Sequence, residues 1–396
     1  MNQPRLSLPP LSLYVHIPWC LKKCPYCDFN SHAFEGELPE QAYIDCLLAD
    51  LQRDLPWVQN RELISIFIGG GTPSLFSPRS MERLLAGIEK HLPFGTDIEI
   101  TMEANPGTFE REKFRDFRLA GINRLSLGIQ SFNRQYLQAL GRVHDDREAL
   151  TAAANVRGAG FDNFNLDLMF GLPKQGIAEA LADLRSALEV APEHLSWYQL
   201  TIEPNTVFYS KPPALPEDDL LGDMQEAGVQ LLSGQGFSRY EVSAFSRPDR
   251  QSRHNLNYWQ FGDYLGIGAG AHGKITLPTE NRIIRTRKIR QPSSYLEHNA
   301  SPLAGLEAIE PADLPVEFMM NVLRLEAGAP ENLFEQRTGL PISDIADSLQ
   351  RLRNAGLLRP EHLATTDKGY NFLNTVLEKF MTDGQPTANT IPLYPL

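Results

Sequence analysis

The segment Cys20-Leu-Lys-Lys-Cys24-Pro-Tyr-Cys27 constrains this chain more than any other part of its sequence. Its cysteines have the spacing C-x3-C-x2-C and follow the apolar run Leu11–Ile17, so three thiols fall on one short loop after a predicted strand. Three thiolates suit a [4Fe–4S] cluster in which one iron is left open for a small molecule. A structural zinc site takes four ligands, and the remaining cysteine, Cys46, lies downstream in a predicted helix. From the residues alone, reduced thiols without metal and a zinc site with a distant fourth ligand stay open as alternatives.

Charge and hydropathy limit where the protein works and what it binds. The chain carries 37 Lys and Arg against 49 Asp and Glu, a formal net charge of −12. A broad nucleic-acid surface needs a basic face, so we do not expect a nucleic-acid partner. No run approaches the ~20 apolar residues that span a bilayer, and the first residues lack the pattern of a signal peptide. We expect a cytoplasmic protein, because that compartment keeps clustered thiols reduced.

Short apolar runs rich in β-branched residues alternate with helical patterns, which is typical of βαβ units and a parallel sheet. The predicted strands cover residues 11–17, 64–68, 98–104, 124–130, 163–170 and 195–200. The predicted helices between them cover residues 40–54, 78–91, 111–120, 147–159 and 177–190. Six such units are too few for a closed eight-stranded barrel, and periodicity alone allows an open barrel or a doubly wound sheet.

Polar and glycine residues fall near the C-terminal ends of these predicted strands, where a βα barrel builds its active site. They are the 20–27 loop, the segment 69–72, Glu103, Asn105, Gln130 and Asp167. Glu103 is an acid in an otherwise apolar strand, so it is either half of a buried ion pair or a ligand-binding group. We expect a single site at this end of the sheet.

The pattern changes after residue 200. We predict a loop across the barrel mouth at 203–216, a helix at 217–234 and a strand pair at 240–245 and 271–276. A break near 301–315 precedes predicted helices at 316–326, 330–338 and 342–355 and a further stretch at 363–380, which together resemble a small winged helix used for packing or as a lid. We divide the chain into a core barrel (1–235), barrel-extending strands with a lid segment (236–304), a C-terminal module (305–384) and a tail (385–396).

The three cysteines, with Tyr26 before the last of them, and the string Tyr14-Val-His-Ile-Pro-Trp-Cys20 resemble a known signature. It is that of the HemN/HemW family of the radical S-adenosylmethionine (radical SAM) superfamily, and the resemblance runs over nearly the whole chain. It implies an α/β fold, a partial (β/α)6 TIM-like barrel with a small C-terminal winged-helix-like domain. It also implies that Cys20, Cys24 and Cys27 bind a [4Fe–4S] cluster whose open iron holds SAM.

Further motifs imply which residues hold SAM. The glycine triplet with Thr72 is similar to the family's GGGT segment, which meets the SAM amino group, and Glu103 matches a position that contacts the amino acid moiety. Gln130 and Asp167 match positions that hydrogen-bond the ribose, and Arg142 matches one that pairs with the carboxylate. The full implied set is Tyr14, Tyr26, Gly70, Gly71, Thr72, Glu103, Gln130, Arg142 and Asp167.

The segment His254-Asn-Leu-Asn-Tyr-Trp259 resembles the HNxxYW motif of the heme-binding branch of the family. The resemblance implies that His254 binds heme, since a neutral imidazole is a usual axial ligand, and we expect the segment in loops over the barrel mouth. The plainer interpretation is a hydrogen-bonded histidine in a lid loop, and His144 and His272 are the reserve candidates. The segment 268–273 formally matches G-x-G-x-x-G, but no βαβ frame follows it, so we expect a loop at the mouth.

Two departures separate the chain from the family's oxygen-independent coproporphyrinogen III oxidases. Phe29 stands where those enzymes carry a further cysteine, and nineteen residues precede Cys20 where they have a longer extension. We therefore expect a heme chaperone of porphyrin metabolism that passes heme to an acceptor protein, with no oxidase activity and no assigned catalytic residue. The alternatives are a genuine oxidase and a DNA-binding regulator that uses the C-terminal module.

Overall fold

The structure is a computed structural model that describes residues 5–34, 36–107, 110–297 and 301–381. Its strands are β1 (Leu11–Ile17), β2 (Trp19–Cys20), β3 (His32–Ala33), β4 (Leu63–Gly70), β5 (Phe94–Ala104), β6 (Arg124–Gln130), β7 (Phe164–Phe170), β8 (His194–Gln199), β9 (Ser238–Glu241), β10 (Ala244–Ser246), β11 (Asp263–Ile267), β12 (His272–Leu277), β13 (Arg282–Lys288) and β14 (Leu303–Ala308). Its α-helices are α1 (Glu40–Asp54), α2 (Pro78–His91), α3 (Glu110–Leu119), α4 (Arg134–Ala139), α5 (Asp146–Gly158), α6 (Ile177–Glu189), α7 (Val207–Ser210), α8 (Asp218–Gly234), α9 (Arg253–Trp259), α10 (Pro292–Glu297), α11 (Leu314–Val322), α12 (Glu331–Thr338), α13 (Ala346–Asn354), α14 (Asp367–Asn371) and α15 (Leu373–Leu377). Short 3-10 turns lie at Leu55–Trp57, Pro73–Leu75, Pro278–Glu280, Ile342–Ile345 and Glu378–Phe380.

The six predicted strands form the parallel centre of the main sheet, in the order β1-β4-β5-β6-β7-β8. All seven residues of β6 are buried, as expected for a parallel strand covered on both faces. Side-chain caps stabilise the first turns of two helices of the βα units. Ser77 accepts a hydrogen bond from the Ser80 N–H at the start of α2, and Asp145 and Glu148 form a capping box on α5. This confirms the predicted α/β fold.

The sheet curves around its own inner face. The Ser252 N–H donates to the Tyr240 hydroxyl on β9, and the Ser252 hydroxyl donates to Glu99 on β5. Those two strands lie five places apart in the sheet order, which in a flat sheet of ~4.8 Å strand spacing would separate them too far for one residue to bond both. The arrangement is therefore the predicted partial barrel.

Further strands extend both ends of this barrel. At one end β11 runs parallel to β1 and is followed by antiparallel β12, β13 and β14; at the other end β8 is followed by antiparallel β10 and β9. The predicted pairing of strands 240–245 and 271–276 is wrong, because β9 and β10 pair with each other and β12 pairs with β11 and β13. The stretch 301–315, predicted as a break, contains β14. Apolar pattern indicates a strand but does not indicate its neighbour.

The described residues form one large core between the sheet and its outer helices, a second core in the C-terminal module and a small third cluster that includes Leu140 and Phe208. The module combines α11, α12 and α13 with two small antiparallel bridges, Ala329 to Leu363 and Leu358 to Thr365, as expected for a winged-helix-like unit. It contacts the barrel through α9 and the residues after it: the Phe261 and Phe318 rings lie 5.7 Å apart, and the Arg324 guanidinium lies 4.2 Å from the Trp259 ring centre. The division at 235, 304 and 384 stays a prediction, and the tail 385–396 lies outside the described residues.

Within the described residues, every helix is too short or too polar to cross a lipid bilayer.

Candidate cluster and cofactor site

The cysteine loop lies directly above the end of β1. β2 and β3 form a two-stranded parallel pair that places Trp19 opposite His32 and Cys20 opposite Ala33, so the chain leaves the barrel, forms the loop and returns beside its start. Cys20, Cys24 and Cys27 are all partly exposed free thiols. Burial raises the pKa of the Cys20 thiol, and the Cys24 and Cys27 thiols raise it further, which shows that the three lie within electrostatic reach of one another.

Cys46 lies apart from these three thiols. It is on α1, where its Sγ lies 3.8 Å from the Leu296 carbonyl oxygen of α10. Among the described residues no three His, Cys, Asp or Glu side chains meet closely enough to hold a single metal ion. A [4Fe–4S] cluster places its thiolates on different iron atoms, so its ligands do not need to converge on one ion.

The glycine segment after β4 is packed against the base of the cysteine loop. Gly70 has φ +110°, and a Cβ on it would lie 2.4 Å from the His16 ring, while a Cβ on Gly71 would lie 2.5 Å from the Trp19 carbonyl oxygen. The Gly71 and Thr72 N–H groups donate to the Ile17 and Trp19 carbonyls at 2.7 Å each. A side chain at Gly70 or Gly71 would collide with His16 or Trp19, so packing within the protein already requires glycine at both positions.

Glu103 forms no ion pair with any described Lys, Arg or His side chain. Its Oε2 accepts a hydrogen bond of 3.0 Å from the Gly70 N–H. Burial and the nearby Asp167 carboxylate raise the pKa of Glu103 to about 8, although the Gly70 hydrogen bond lowers it. Asp167 itself accepts from the Ser126 hydroxyl at 2.9 Å and the Asn165 amide at 2.8 Å. Among the described residues no cation lowers the pKa of Glu103, although Arg124 lowers that of Asp167, so Glu103 is suited to a positively charged ligand.

Arg142 connects the cysteine loop to the strand ends. One of its terminal nitrogens donates to the Gly128 carbonyl at 2.6 Å and to the Asn105 side-chain oxygen, and the other lies 3.7 Å from the Cys24 sulfur. The Asn105 amide in turn donates to the Thr72 hydroxyl at 2.9 Å. The Arg142 Nε is buried and has no hydrogen-bond partner among the described residues. Its N–H can therefore donate to a bound ligand.

The other predicted SAM residues lie on the central strands and in the cysteine loop. Gln130 ends β6 with φ +68°, a strained value for a residue with a side chain, and its Oε1 accepts from the Tyr198 hydroxyl at 2.8 Å. The Tyr14 hydroxyl lies 2.8 Å from His16 Nδ1, and its pKa is raised by burial and by the Glu103 carboxylate. The Tyr26 ring packs 6.4 Å from Phe208 on α7. The role of these residues in binding SAM stays a prediction.

His254 lies elsewhere than predicted. It is on helix α9 inside the barrel, not in a loop over the mouth, and it is 2% exposed. Its ring stacks at 4.8 Å on Phe67 and packs edge-on at 4.7 Å against Tyr258. Burial lowers its pKa to about 3, and its Nδ1 has no hydrogen-bond partner. The helix enters the barrel because Ser252 caps it and bonds to both β5 and β9, a contact that local sequence pattern cannot indicate.

The two reserve histidines differ in exposure. His144 is 4% exposed, and its Nε2 lies 3.1 Å from the Ile129 carbonyl oxygen. His272 begins β12 opposite Arg287 and is partly exposed. Burial lowers its pKa, and the Arg285, Arg287 and Arg290 side chains lower it further. Both imidazoles are therefore held neutral near pH 7.

Several interior residues escaped the sequence interpretation. His194 Nδ1 lies 2.6 Å from the Asn165 side-chain oxygen, and His194 Nε2 lies 2.9 Å from the Tyr240 hydroxyl. These contacts connect β9 through His194 to Asn165, whose amide donates to Asp167. Polar residues alternate with apolar ones over residues 165–167 of β7 and 194–198 of β8. This alternation was the available signal, because alternate residues of a barrel strand face its interior.

Comparison with known proteins identifies the family. Residues 14–187 match the radical SAM superfamily model, and residues 309–372 match the HemN C-terminal domain model. The chain is 51% identical over 380 residues to the heme chaperone HemW of Escherichia coli, covering 96% of this chain and 100% of that protein. The chain belongs to the HemW family. HemW of Haemophilus influenzae is also 51% identical, covering 95% and 99% of the two chains, and HemW of Bacillus subtilis is 32% identical, covering 93% and 99%.

A solved structure supports the fold. Coproporphyrinogen III oxidase (HemN) from Escherichia coli superimposes with a TM-score of 0.79 at 24% identity, covering 95% of this chain and 91% of that one. Membership of the radical SAM superfamily implies a [4Fe–4S] cluster and SAM. The residues present fit both groups. Three thiols stand on one loop, and among the described residues Glu103 has no cation partner and the buried Arg142 Nε–H has no acceptor.

Proposed function

We propose that this protein is a heme chaperone, which binds heme and passes it to an acceptor protein while it holds a [4Fe–4S] cluster and SAM. The observation that carries the proposal is the 51% identity to curated heme chaperones over essentially their whole length. The same proposal puts the protein in the cytoplasm, where thiols stay reduced. The acceptor is a protein that takes heme and is defined here only by that property.

Cys20, Cys24 and Cys27 would hold the cluster. Their shared loop and mutual electrostatic influence support this assignment. When bound, the cluster would supply a single electron and an open iron beside which SAM binds. A terminal nitrogen of Arg142 lies 3.7 Å from the Cys24 sulfur, where it can donate a hydrogen bond to that proposed ligand.

The nine predicted SAM residues would hold SAM by complementary charge and hydrogen bonds. Glu103 would accept from the amino group of SAM, and the Arg142 Nε would donate to its carboxylate. Asp167 and Gln130 would accept from the ribose hydroxyls. The remaining residues of the proposed set are Tyr14, Tyr26, Gly70, Gly71 and Thr72, which shape the cavity and fix the backbone near the loop.

His254 remains our proposed heme ligand, and its environment sets a condition. Its neutral imidazole with an unpartnered Nδ1, surrounded by aromatic rings, suits iron ligation and porphyrin stacking. At 2% exposure it cannot meet a porphyrin until α9 moves out of the barrel. Heme binding at His254 therefore requires a rearrangement of α9, whereas binding at the partly exposed His272 does not.

The ligand assignment is tested with three matched variants, His254→Ala, His272→Ala and His144→Ala, each titrated anaerobically with heme after cluster reconstitution. We expect His254→Ala to remove or shift the Soret band while iron content and SAM binding stay unchanged. Trp259→Ala should weaken heme binding more mildly, by about 1–2 kcal/mol of lost stacking and burial. An unchanged spectrum in His254→Ala with loss in His272→Ala would move the site to His272.

The second candidate is an oxygen-independent coproporphyrinogen III oxidase, which the superposition on HemN at a TM-score of 0.79 favours. The two functions separate in an anaerobic assay of the reconstituted protein with SAM, a reductant and coproporphyrinogen III. The chaperone proposal predicts no protoporphyrinogen IX and, in a parallel sample, transfer of bound heme to an apo-acceptor. Repeated turnover to protoporphyrinogen IX would overturn it.

A further inference from the structure

Ser31 lies beside the cysteine loop and is not part of the predicted site. It is 4% exposed, and its hydroxyl oxygen lies 3.5 Å from the Cys27 sulfur. It precedes β3, whose pairing with β2 places the next residue, His32, opposite Trp19. The Ser31 hydroxyl therefore lies beside the sulfur of one of the three predicted cluster ligands.

Asn30 holds this segment against the turn that follows β11, the strand next to β1. Its side-chain nitrogen donates to the Ala269 carbonyl at 2.9 Å and to the Arg290 carbonyl at 2.8 Å. Its own carbonyl oxygen lies 3.0 Å from His16 Nε2. Gly270 has φ +82°, and a Cβ on it would lie 2.3 Å from the Asn30 nitrogen. Asn30 and the 268–270 turn therefore form a close-fitting clamp.

The far side of the clamp is fixed by a buried network. The Ala269 N–H donates to the Tyr43 hydroxyl at 2.9 Å, and the Gly268 N–H lies 3.2 Å from an Asp50 oxygen. Lys288, at 1% side-chain exposure, pairs with both Asp50 and Asp54. A buried ion pair of this kind fixes geometry more than it adds stability. The glycine segment 268–273 thus has a structural task, which is to receive Asn30.

We propose that Ser31 donates a hydrogen bond to the Cys27 thiolate and thereby raises the reduction potential of the [4Fe–4S] cluster, and that the Asn30–Gly270 clamp holds it in place. A donor to sulfur stabilises the reduced cluster more than the oxidised one, because reduction adds negative charge that the sulfur ligands share. The electron comes from the external reductant, and the hydroxyl proton stays on Ser31. This inference rests on the proposed cluster.

The test is a redox titration of the full-length, reconstituted Ser31→Ala protein, followed by electron paramagnetic resonance of the reduced cluster. At the midpoint potential of the unmodified protein, we expect the ratio of reduced to oxidised cluster to fall about 3- to 10-fold, where tenfold corresponds to 59 mV for one electron. Iron content should not change, and Ser31→Thr, which keeps the hydroxyl, should restore the ratio. Ser246→Ala is the matched control, because Ser246 is a buried serine on β10 whose hydroxyl has no partner.

The clamp is tested separately with Asn30→Ala, and with Gly270→Ala if that variant folds. Each should lower the reduced fraction in the same direction as Ser31→Ala, and combining Asn30→Ala with Ser31→Ala should add little, since both act through one hydrogen bond. A midpoint in Ser31→Ala equal to that of Ser246→Ala would overturn the tuning role. Failure of the unmodified protein to take up any cluster would instead overturn the proposed cofactor.

Discussion

At the scale of single residues, Glu103 is the most informative group in the site. Its carboxyl receives one backbone hydrogen bond and faces Asp167, and its pKa is raised to about 8 by burial first and by that second acid. Near pH 7 the carboxyl is therefore mostly protonated when no ligand is present. In the protein without its cluster SAM keeps its α-ammonium. An ammonium group beside Glu103 favours the carboxylate, so binding of SAM to the cluster-free protein should release a proton.

This proton release makes SAM affinity depend on pH. Between pH 6 and 7, where an α-ammonium stays protonated, affinity should rise with pH because less work is needed to ionise Glu103. Glu103→Gln should remove that rise and, at pH 7, weaken binding by about 1.5–3 kcal/mol, the size of a lost charged hydrogen bond. Calorimetry in buffers of different ionisation enthalpy measures both effects. Equal affinity and equal proton release in the two proteins would assign Glu103 a structural role.

The four cysteines give a second residue-scale prediction. Cys20→Ala, Cys24→Ala and Cys27→Ala should each abolish the broad absorbance at about 400 nm expected of a thiolate-bound [4Fe–4S] cluster. Cys46→Ala is the matched control and should leave it unchanged, because the Cys46 thiol lies against the Leu296 carbonyl on α10. Loss of the absorbance in Cys46→Ala would mean that the cluster is not held by three cysteines.

Sequence indicated some of these residues and not others for a physical reason. Cys20, Glu103 and Gln130 stand out because their types or spacing are unusual at strand ends. Ser31 and Tyr198 do not stand out, because serine and tyrosine are ordinary in loops and strands. Their importance comes from a sulfur 3.5 Å away and an amide oxygen 2.8 Å away on other segments. Contacts of this kind are set by tertiary structure.

At the level of helices and strands, the alternation of apolar β-branched runs with helical patterns predicted the βα units well. The bounds of α1 and α2 match the predicted 40–54 and 78–91, and the six central strands were all found. The pairing of the outer strands and the position of α9 were wrong. Period indicates which face of an element is apolar, whereas partner and depth depend on segments far away in sequence.

The packing of α8 on β8 gives an element-scale prediction. Gly228 of α8 lies so close to Trp197 that an added Cβ would come within 1.9 Å of the ring. Gly228→Ala should lower the free energy of unfolding by about 1–2 kcal/mol net, since overpacking costs about 1–3 kcal/mol and a helical alanine returns under about 1. Urea denaturation of the apo-protein measures the change.

The same helix supplies the control for that prediction. Gly222 is exposed on α8, and a Cβ there meets nothing within 4 Å. Gly222→Ala should therefore raise the free energy of unfolding by about 0.5–1 kcal/mol through helix propensity alone. A Gly228→Ala protein as stable as Gly222→Ala would show that α8 can move away from Trp197 at no cost.

In the whole molecule, α9 contacts both the inside of the barrel and the C-terminal module. Its His254 side packs on Phe67 and Tyr14 inside the barrel, while its far end carries Trp259 under the Arg324 guanidinium of the C-terminal module. A movement of α9 that exposes His254 must therefore disturb the contact between barrel and module. Heme uptake at His254 would couple the two units, and uptake at His272 would not.

The proposed function requires that the intact protein binds heme as cargo. A spectrophotometric heme titration of the full-length protein, after anaerobic reconstitution with iron and sulfide, tests this requirement. We expect a saturable Soret change that ends at one heme per chain, with the cluster retained. A linear, unsaturated absorbance increase equal to that of free heme would contradict it.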